Sequence, residues 1–268
     1  MEEACYLDSA ALLVYDLPPG WHMTLDERFS MNPPHVTGEP IFYQRTMNPA
    51  TATNDRGQDV ASLLENADTQ AAPPGARDSR FLGRTAEHTL DLEFPLPIDA
   101  KPNPVLIMDG WIEYPYSQTM FSAWQAGAKY EAPTLEALGP DGKWQVVIEQ
   151  FGYPAGMPRQ MSLPLPADKL PKGTTRLRFK TNMEIYWDRI MVAWAVECPD
   201  VRLTELAMSA AHLAEVGFPE RTTGEQMVPL YDYGRRDPMW DTRYQVGYYT
   251  EFGDVAELVQ DVDDAVAI

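Results

Sequence analysis

The sequence is poor in the residue types that hold metals and form cross-links. It has two cysteines and four histidines in 268 residues. Cys5 and Cys198 lie far apart and lack the paired spacing of zinc sites and redox motifs. They are expected either as two separate buried thiols or as one disulfide. The histidines are isolated from one another, so no two are expected to share a metal ion.

Basic residues are also scarce. The chain has 21 Lys and Arg against 40 Asp and Glu, which gives a formal net charge of −19. Such a charge repels phosphates and anionic lipid headgroups, so neither nucleic acid nor a membrane surface is expected as a partner. No apolar run is long enough to span a membrane, and the acidic N-terminus does not match a signal peptide. We therefore expect no membrane insertion and no export signal.

The local signatures of common enzyme classes are absent. The sequence contains no Gly-x-Ser-x-Gly elbow, phosphate-binding loop, dinucleotide fingerprint or zinc-protease helix. This favours a non-enzymatic protein. Because a pair of catalytic carboxylates leaves no local signature, a glycan-processing enzyme that uses Asp109, Glu113 and Asp188 is kept as an alternative.

Short apolar runs separated by turn residues dominate what the sequence does contain. It has 24 prolines and 17 glycines, and they punctuate the runs as turns punctuate the strands of a sandwich. The pattern predicts an all-β fold, specifically a jelly-roll, galactose-binding-like β-sandwich. The predicted strands are residues 10–15, 89–94, 104–111, 134–138, 144–149, 161–165, 175–180 and 184–196.

Two local patterns support this prediction. Leu177 and Phe179 alternate with charged residues, which is the two-residue period of a half-buried strand. Asp141-Gly142 lies between two apolar runs and provides the positive φ angle of a tight turn. Residues 134–149 are therefore predicted to form a β-hairpin.

The composition also predicts how the chain is divided. We expect residues 1–200 to form the sandwich, with a polar surface insertion at about residues 45–80. Residues 201–268 are expected to be a C-terminal β extension or the start of a second, incomplete β unit. Within it, residues 203–216 fit either a helix or a strand. The apolar pattern at residues 266–268 suggests that the chain stops inside an element, as a fragment would.

The insertion contains a candidate metal site. Asn54, Asp55 and Asp59 surround Gly57 as oxygen ligands surround a calcium ion in a small loop. A turn that caps a short helix at residues 60–66 is the alternative explanation of the same residues. Calcium is the only cofactor that the sequence suggests.

Three segments combine aromatic with charged residues. The first segment lies at the end of one predicted strand. If its rings are exposed beside the acidic groups they would form a sugar platform, whereas buried rings would be core or interface residues. The second segment is explained either as part of that platform or as the entry to a buried strand with its tryptophan in the core. The third mixes Tyr, Trp and Arg in a loop, as protein interfaces do. The residues are, in order of segment, Asp109, Trp111, Glu113, Tyr114, Tyr116 and Trp124; Trp187 and Asp188; and Tyr231, Tyr233, Arg235, Arg236 and Trp240.

Several phrases of the sequence resemble a known family. They are residues 6–8, 108–111, 181–188 and 262–264, and they are similar to a region of bacterial FG-GAP (VCBS) and tetratricopeptide-repeat proteins. These proteins are related to the UnbV and cartilage-acidic-protein group. The resemblance implies a non-enzymatic β-domain attached to repeats in exported or cell-envelope proteins, and it implies no catalytic residues.

These observations lead to two main hypotheses. The first is a non-catalytic docking module that binds a protein partner, or another domain of a larger assembly, through the loops at residues 109–124 and 231–240. The second is a carbohydrate-binding module in which Trp111, Tyr114, Tyr116, Trp124 and Trp187 line the platform. The first predicts an aromatic surface patch and the second predicts exposed ring faces.

Overall fold

The computed structural model describes residues 5–237 and 247–268, and most of its elements are strands. The single α-helix among these residues is α1 (Ser117–Gln125), and short 3-10 segments lie at Ala61–Leu64, Ile98–Ala100, Glu225–Met227 and Ala256–Leu258. No helix in the described ranges combines the length and apolar character needed to cross a membrane. The strands are β1 (Ala11–Asp16), β2 (His22–Thr24), β3 (Arg28–Phe29), β4 (Ile41–Tyr43), β5 (Thr46–Met47), β6 (Thr51–Asn54), β7 (Arg84–Glu93), β8 (Pro104–Ile112), β9 (Thr134–Leu138), β10 (Trp144–Ile148), β11 (Tyr153–Pro154), β12 (Arg159–Pro164), β13 (Arg176–Met183), β14 (Ile185–Trp194), β15 (Arg202–Ala207), β16 (His212–Leu213), β17 (Phe218–Thr223), β18 (Pro229–Asp237) and β19 (Gly253–Asp254).

The described residues divide into two compact units. The sandwich unit comprises Gly20–Cys198 and Thr223–Pro229, and the ribbon unit comprises the described parts of Met1–Pro19, Pro199–Thr222 and Leu230–Ile268. This division differs from the predicted one at the N-terminus. Residues before Gly20 belong with the C-terminal part of the chain because β1 pairs with β15.

Two larger antiparallel sheets form the core of the sandwich unit, which also contains the two-stranded pairings of β2 with β4 and of β3 with β11. One has the strand order β10-β9-β13-β7-β6 and the other has the order β12-β8-β14-β5. Their facing side chains share one core, in which Leu177 and Phe179 of β13 are buried together with Met108 of β8 and Ile190 of β14. The prediction of a mainly-β sandwich is confirmed.

The local patterns explain individual strands. Leu177 and Phe179 are buried while Arg178 between them pairs with Asp91 on the outer face, as the two-residue period predicts. The hairpin at residues 134–149 is present as β9 and β10, and Gly142 has a φ angle of 77° in its turn. Its glycine allows that positive φ without the strain of a Cβ atom.

Strand β8 is buried on both faces. Leu106 and Met108 face the core between the sheets, whereas Val105 and Ile107 pack with Tyr43 on the outer side. The continuous apolar run of this strand follows from that double burial.

The segment predicted as a surface insertion, residues 45–80, is built into both sheets. Strand β5 pairs with β14, and β6 pairs with β7. Leu64 and Ala71 are fully buried. Small and polar residues separate the few apolar ones here, so the sequence shows no regular period that would reveal their burial.

The ribbon unit contains only two-stranded pairings among its described residues. These are β1 with β15, β16 with β19, and β17 with β18. The segment at residues 203–216, which fitted either a helix or a strand, contributes β15 and β16. Val255, Val259 and Ala267 are the buried apolar residues in the described part of this unit. The described part of the unit therefore has almost no core of its own.

Both cysteines are free thiols in the structure. Cys198 is buried, as one alternative predicted, but Cys5 is exposed. The disulfide alternative is not formed, and only one of the two thiols is buried.

Burial of His88 predicts a pH dependence of stability. The imidazole is buried, and Nδ1 lies 3.1 Å from both Thr85 Oγ1 and the carbonyl oxygen of Ala86. Burial lowers the pKa of His88. The folded state therefore binds a proton less readily than the unfolded state, whose histidine titrates near pH 6.5. The stability that neutral His88 contributes is fully present above that pH and is lost as the pH falls.

We expect the free energy of unfolding of the native chain to fall between pH 7 and pH 5 more steeply than that of His88→Gln. Urea unfolding at a series of pH values measures both slopes. The variant retains every other titratable group, so it is its own matched reference. Equal slopes for the two proteins would contradict the assignment.

Candidate functional site

Trp111, near the end of β8, is fully buried in the sandwich unit. Its ring stacks on Tyr186 at a centroid distance of 5.6 Å, and its Nε1 donates a hydrogen bond to the carbonyl oxygen of Gln226 at 2.8 Å. The side chain of Gln226 in turn bonds both backbone groups of Ala71. Trp111 therefore anchors two distant loop segments to the sheet, and its ring offers no free face to a sugar.

Trp187 is buried as well. It lies in the core and contacts Phe179 at a centroid distance of 5.1 Å. Its backbone carbonyl accepts a hydrogen bond from the N–H of Ala72. Trp187 therefore lies in the core, as the explanation of this segment as a strand entry predicted. Because it is buried, Trp187 is not part of a candidate binding surface.

The neighbouring carboxylate of Asp188 holds a loop in place. Its two oxygens accept hydrogen bonds from the backbone N–H groups of Asp68 at 3.3 Å and Thr69 at 3.0 Å. Burial raises the pKa of Asp188, and the two backbone donors act in the opposite direction. The side chain is buried and has a structural task.

Asp109 also has protein partners. One oxygen accepts from Nε of Arg189 at 2.8 Å and the other from Nε2 of Gln160 at 3.2 Å. Glu113, just beyond the end of β8, is half-buried, and its backbone N–H donates to the carbonyl oxygen of Glu184. Asp109 and Asp188, two of the three carboxylates of the enzyme hypothesis, are thus engaged in holding strands and loops together.

An ionic contact that sequence reasoning missed joins the buried Glu184, between β13 and β14, to the exposed Arg77. Its carboxylate accepts from Arg77 Nε at 2.6 Å and from the hydroxyl of Tyr186 at 2.5 Å. Arg77 also donates to the Tyr186 hydroxyl. Burial raises the pKa of Tyr186. No spacing in the sequence links these residues, because Arg77 comes from the segment expected to be a surface insertion.

An exposed aromatic surface does exist on and before α1. We call Tyr116, Met120, Phe121 and Trp124 the helix surface; all four side chains are exposed, and Trp124 reaches 65%. Phe121 and Trp124 stack at 5.6 Å. Tyr114 beside them is half-buried and meets Tyr116 edge-on at 5.5 Å.

The helix that carries this surface was not predicted. Its residues lack charge and glycine, and a C-terminal signal was present in Gly127, which has a φ angle of 74° and donates its N–H to the carbonyl oxygen of Trp124. Glycine just past the last helical turn is a common helix stop. Met120 and Trp124 are four residues apart and so share one side of the helix.

The third predicted segment lies on β18 of the ribbon unit. We call Tyr231, Tyr233, Arg235 and Arg236 the hairpin surface, and all four are exposed. Arg235 pairs with Glu220 of β17 at 3.2 Å, and the guanidinium of Arg236 lies 5.5 Å from the centre of the Tyr233 ring. Trp240 lies outside the described residues.

The ribbon unit has a further apolar surface that the sequence analysis did not assign to a site. Leu12 and Leu206 are opposite each other across β1 and β15 and are 62% and 48% exposed. Leu13 and Leu203, whose side chains alternate to the other face, are 49% and 52% exposed. We call these four leucines the ribbon surface. Its signal in the sequence was the apolar run at residues 10–15, which was expected to be a sandwich strand.

The residues of the candidate calcium loop are engaged in turn contacts. Asn54 Oδ1 accepts from the N–H groups of Arg56 and Gln58, and Asp59 Oδ1 accepts from the N–H of Ala61. Asp55 lies 4.0 Å from Arg56. These contacts are the ones expected of a turn that leads into a short helix, which was the alternative to a calcium site. In the ranges that the structure describes, no group of three or more His, Cys, Asp or Glu side chains is arranged to hold a metal ion.

No family model matches the chain, and no curated protein matches it. The solved structure of CpGH89CBM32-6 produced by Clostridium perfringens has 12% sequence identity to this chain and a TM-score of 0.28, and the match covers 50% of this chain and 82% of that one.

Proposed function

We propose that this chain is a non-catalytic docking module that binds a protein partner through its ribbon unit. The observation that carries the proposal is the ribbon surface, where leucines are exposed on both faces of a two-stranded pairing. Two-stranded ribbons are only marginally stable in water, and exposed apolar groups in such a setting mark interaction sites. A bound partner would supply the missing cover.

The contrast within the molecule supports this choice. In the sandwich unit, the apolar strands β8 and β14 are buried almost throughout. The leucines and valines of these strands are therefore buried, in contrast to the exposed leucines of the ribbon surface. Burial of Leu12 and Leu206 by a partner would contribute about 1 to 2 kcal/mol of binding free energy for each side chain, which the free chain does not gain.

The hairpin surface adds a second contact of the same type. Tyrosine and arginine are the residues that most often dominate the affinity of protein interfaces. Here Tyr233 and Arg235 are strongly exposed on β18. The net charge of −19 favours a partner with basic groups. The family resemblance suggests that this partner is another domain of an exported, repeat-containing assembly.

A carbohydrate-binding module is the second candidate, and the helix surface is the observation that favours it. Trp124 and Phe121 expose ring area of the kind on which a pyranose packs. The candidate platform is smaller than expected, because Trp111 and Trp187 are buried. Tyr114 and Tyr116 remain beside it.

Affinity capture distinguishes the two candidates. The purified chain is immobilised and exposed to lysate and envelope extract from its source, and bound material is eluted in parallel with high salt and with free sugars. We expect a defined protein in the salt eluate, since salt screens the charge attraction. Glycan released by sugar, without a salt-eluted protein, would contradict docking and favour the platform.

A further inference from the structure

The outer edge of β15 offers backbone groups to an additional strand. Strand β15 pairs with β1 in unbroken register from Arg202↔Asp16 to Ala207↔Ala11, and no other described strand lies beside it. In an antiparallel pair about half of the N–H and C=O groups of each strand point away from the partner. The outer edge of β15 can therefore accept another strand by β-augmentation.

The edges of the sandwich unit are protected in ways that β15 is not. The edge strand β12 ends in Pro164, the edge strand β10 has a register shift between Val146 and Ile148, and β5 is two residues long. Prolines, bulges and short length are the usual devices against unwanted pairing. β15 is six residues long and has neither a proline nor a register shift.

The side chains of β15 define what would pair with it. Leu203 and Glu205 share one face, while Leu206 lies on the other. Arg202 has an acidic residue, Asp16, directly across on β1, whereas Glu205 lies across from Leu13. The carboxylate of Glu205 therefore has no basic residue directly opposite it and is available to a third strand.

We propose that an extended segment of the protein partner adds a third, antiparallel strand to the outer edge of β15. Opposite Leu206, Glu205, Thr204 and Leu203 the segment carries an apolar, a basic, a β-branched and an apolar residue in turn, since opposed charges and apolar pairs stabilise neighbouring strands. This inference rests on the proposed docking function and names the chemistry of the partner. An acidic segment is rejected at Glu205.

The test uses a fluorescein-labelled synthetic peptide with Val-Lys-Thr-Val at its centre, and fluorescence anisotropy of its binding to the full chain. Two further peptides carry N-methyl groups on one or the other alternate set of backbone nitrogens. We expect saturable binding of the parent peptide. Methylation of one set weakens binding by about tenfold or more, because several hydrogen bonds are lost, and methylation of the other set changes it little.

A charge exchange tests the position of the strand. Glu205→Lys is expected to lose affinity for the lysine peptide and to gain affinity for the same peptide with glutamate in place of lysine. Glu215→Lys, an exposed acidic residue of the same unit outside β15, makes the same change in net charge and is the matched control. Circular dichroism of both variants verifies that they are folded.

The inference is overturned if the parent peptide shows no saturable binding, if both methylated peptides bind equally, or if Glu205→Lys and Glu215→Lys behave alike. The docking function fails separately, when affinity capture yields no protein whose binding depends on Leu12 and Leu206. A chain that captures such a protein and ignores the peptides binds by face packing instead of strand addition.

Discussion

Replacing Trp111 by alanine is expected to lower the free energy of unfolding by about 3 to 5 kcal/mol. The side chain is fully buried, stacks on Tyr186 and donates to the carbonyl oxygen of Gln226. Alanine leaves a cavity beneath the loop segments that Trp111 holds, and the Gln226 carbonyl loses its donor. Guanidinium unfolding of the sandwich unit measures the change.

Trp124→Ala is the matched control for this prediction. Its ring is largely exposed on α1, so the expected loss is less than about 1 kcal/mol. The pair of variants separates a structural tryptophan from a surface one by the same substitution. If Trp111→Ala unfolded like the native chain, or if Trp124→Ala lost as much stability, the assignment of the two residues would be wrong.

The second large effect is expected on partner binding. Changing Leu12 and Leu206 together to serine should weaken capture of the salt-eluted protein by about tenfold to a hundredfold, because two half-exposed leucines no longer bury apolar area in the complex. Unfolding of the sandwich unit should remain unchanged, since neither leucine belongs to it. A pull-down with increasing bait concentration measures the loss.

Leu82→Ser combined with Leu96→Ser is the control for the ribbon variant. These two leucines are also exposed, but they belong to the sandwich unit. The control variant should bind the partner as the native chain does. Equal losses for both double variants would indicate a non-specific apolar attraction and would remove the ribbon surface from the interface.

The parts of the fold that the sequence predicted depend on neighbouring residues. Leu177 and Phe179 alternate with charges within one strand, and Asp141-Gly142 forms a turn between two adjacent runs. Both signals are contained in a few consecutive positions.

The parts that it did not predict depend on contacts between distant residues. Trp111 is buried because Ala71 and Val228 pack against it, and its hydrogen-bond acceptor Gln226 lies 115 residues later in the chain. The run at residues 10–15 reads as a sandwich strand, yet it pairs with β15. An aromatic residue at the end of a strongly apolar strand can lie either in the core or on an exposed platform. Whether a distant segment of the chain covers its ring decides between the two positions.

The candidate site differs from the predicted one because burial of its residues also depends on contacts between distant residues. Of the residues assigned to a sugar platform, Tyr116 and Trp124 are exposed and Trp111 and Trp187 are not. The leucines of β1 were predicted to belong to a sandwich strand and those of β15 to either a helix or a strand, but their exposure cannot be inferred from apolar character alone. The docking hypothesis therefore stands on a different surface from the one that the aromatic residues suggested.

Hydrogen exchange with and without the captured protein tests the central claim most directly. In the free chain, amides of β15 are expected to exchange quickly and those of β8, in the middle of a sheet, slowly. In the complex, protection should rise at β15 while β8 stays unchanged. Protection that rises on α1 while β15 continues to exchange quickly would contradict docking through the ribbon unit and would move the binding site to the helix surface.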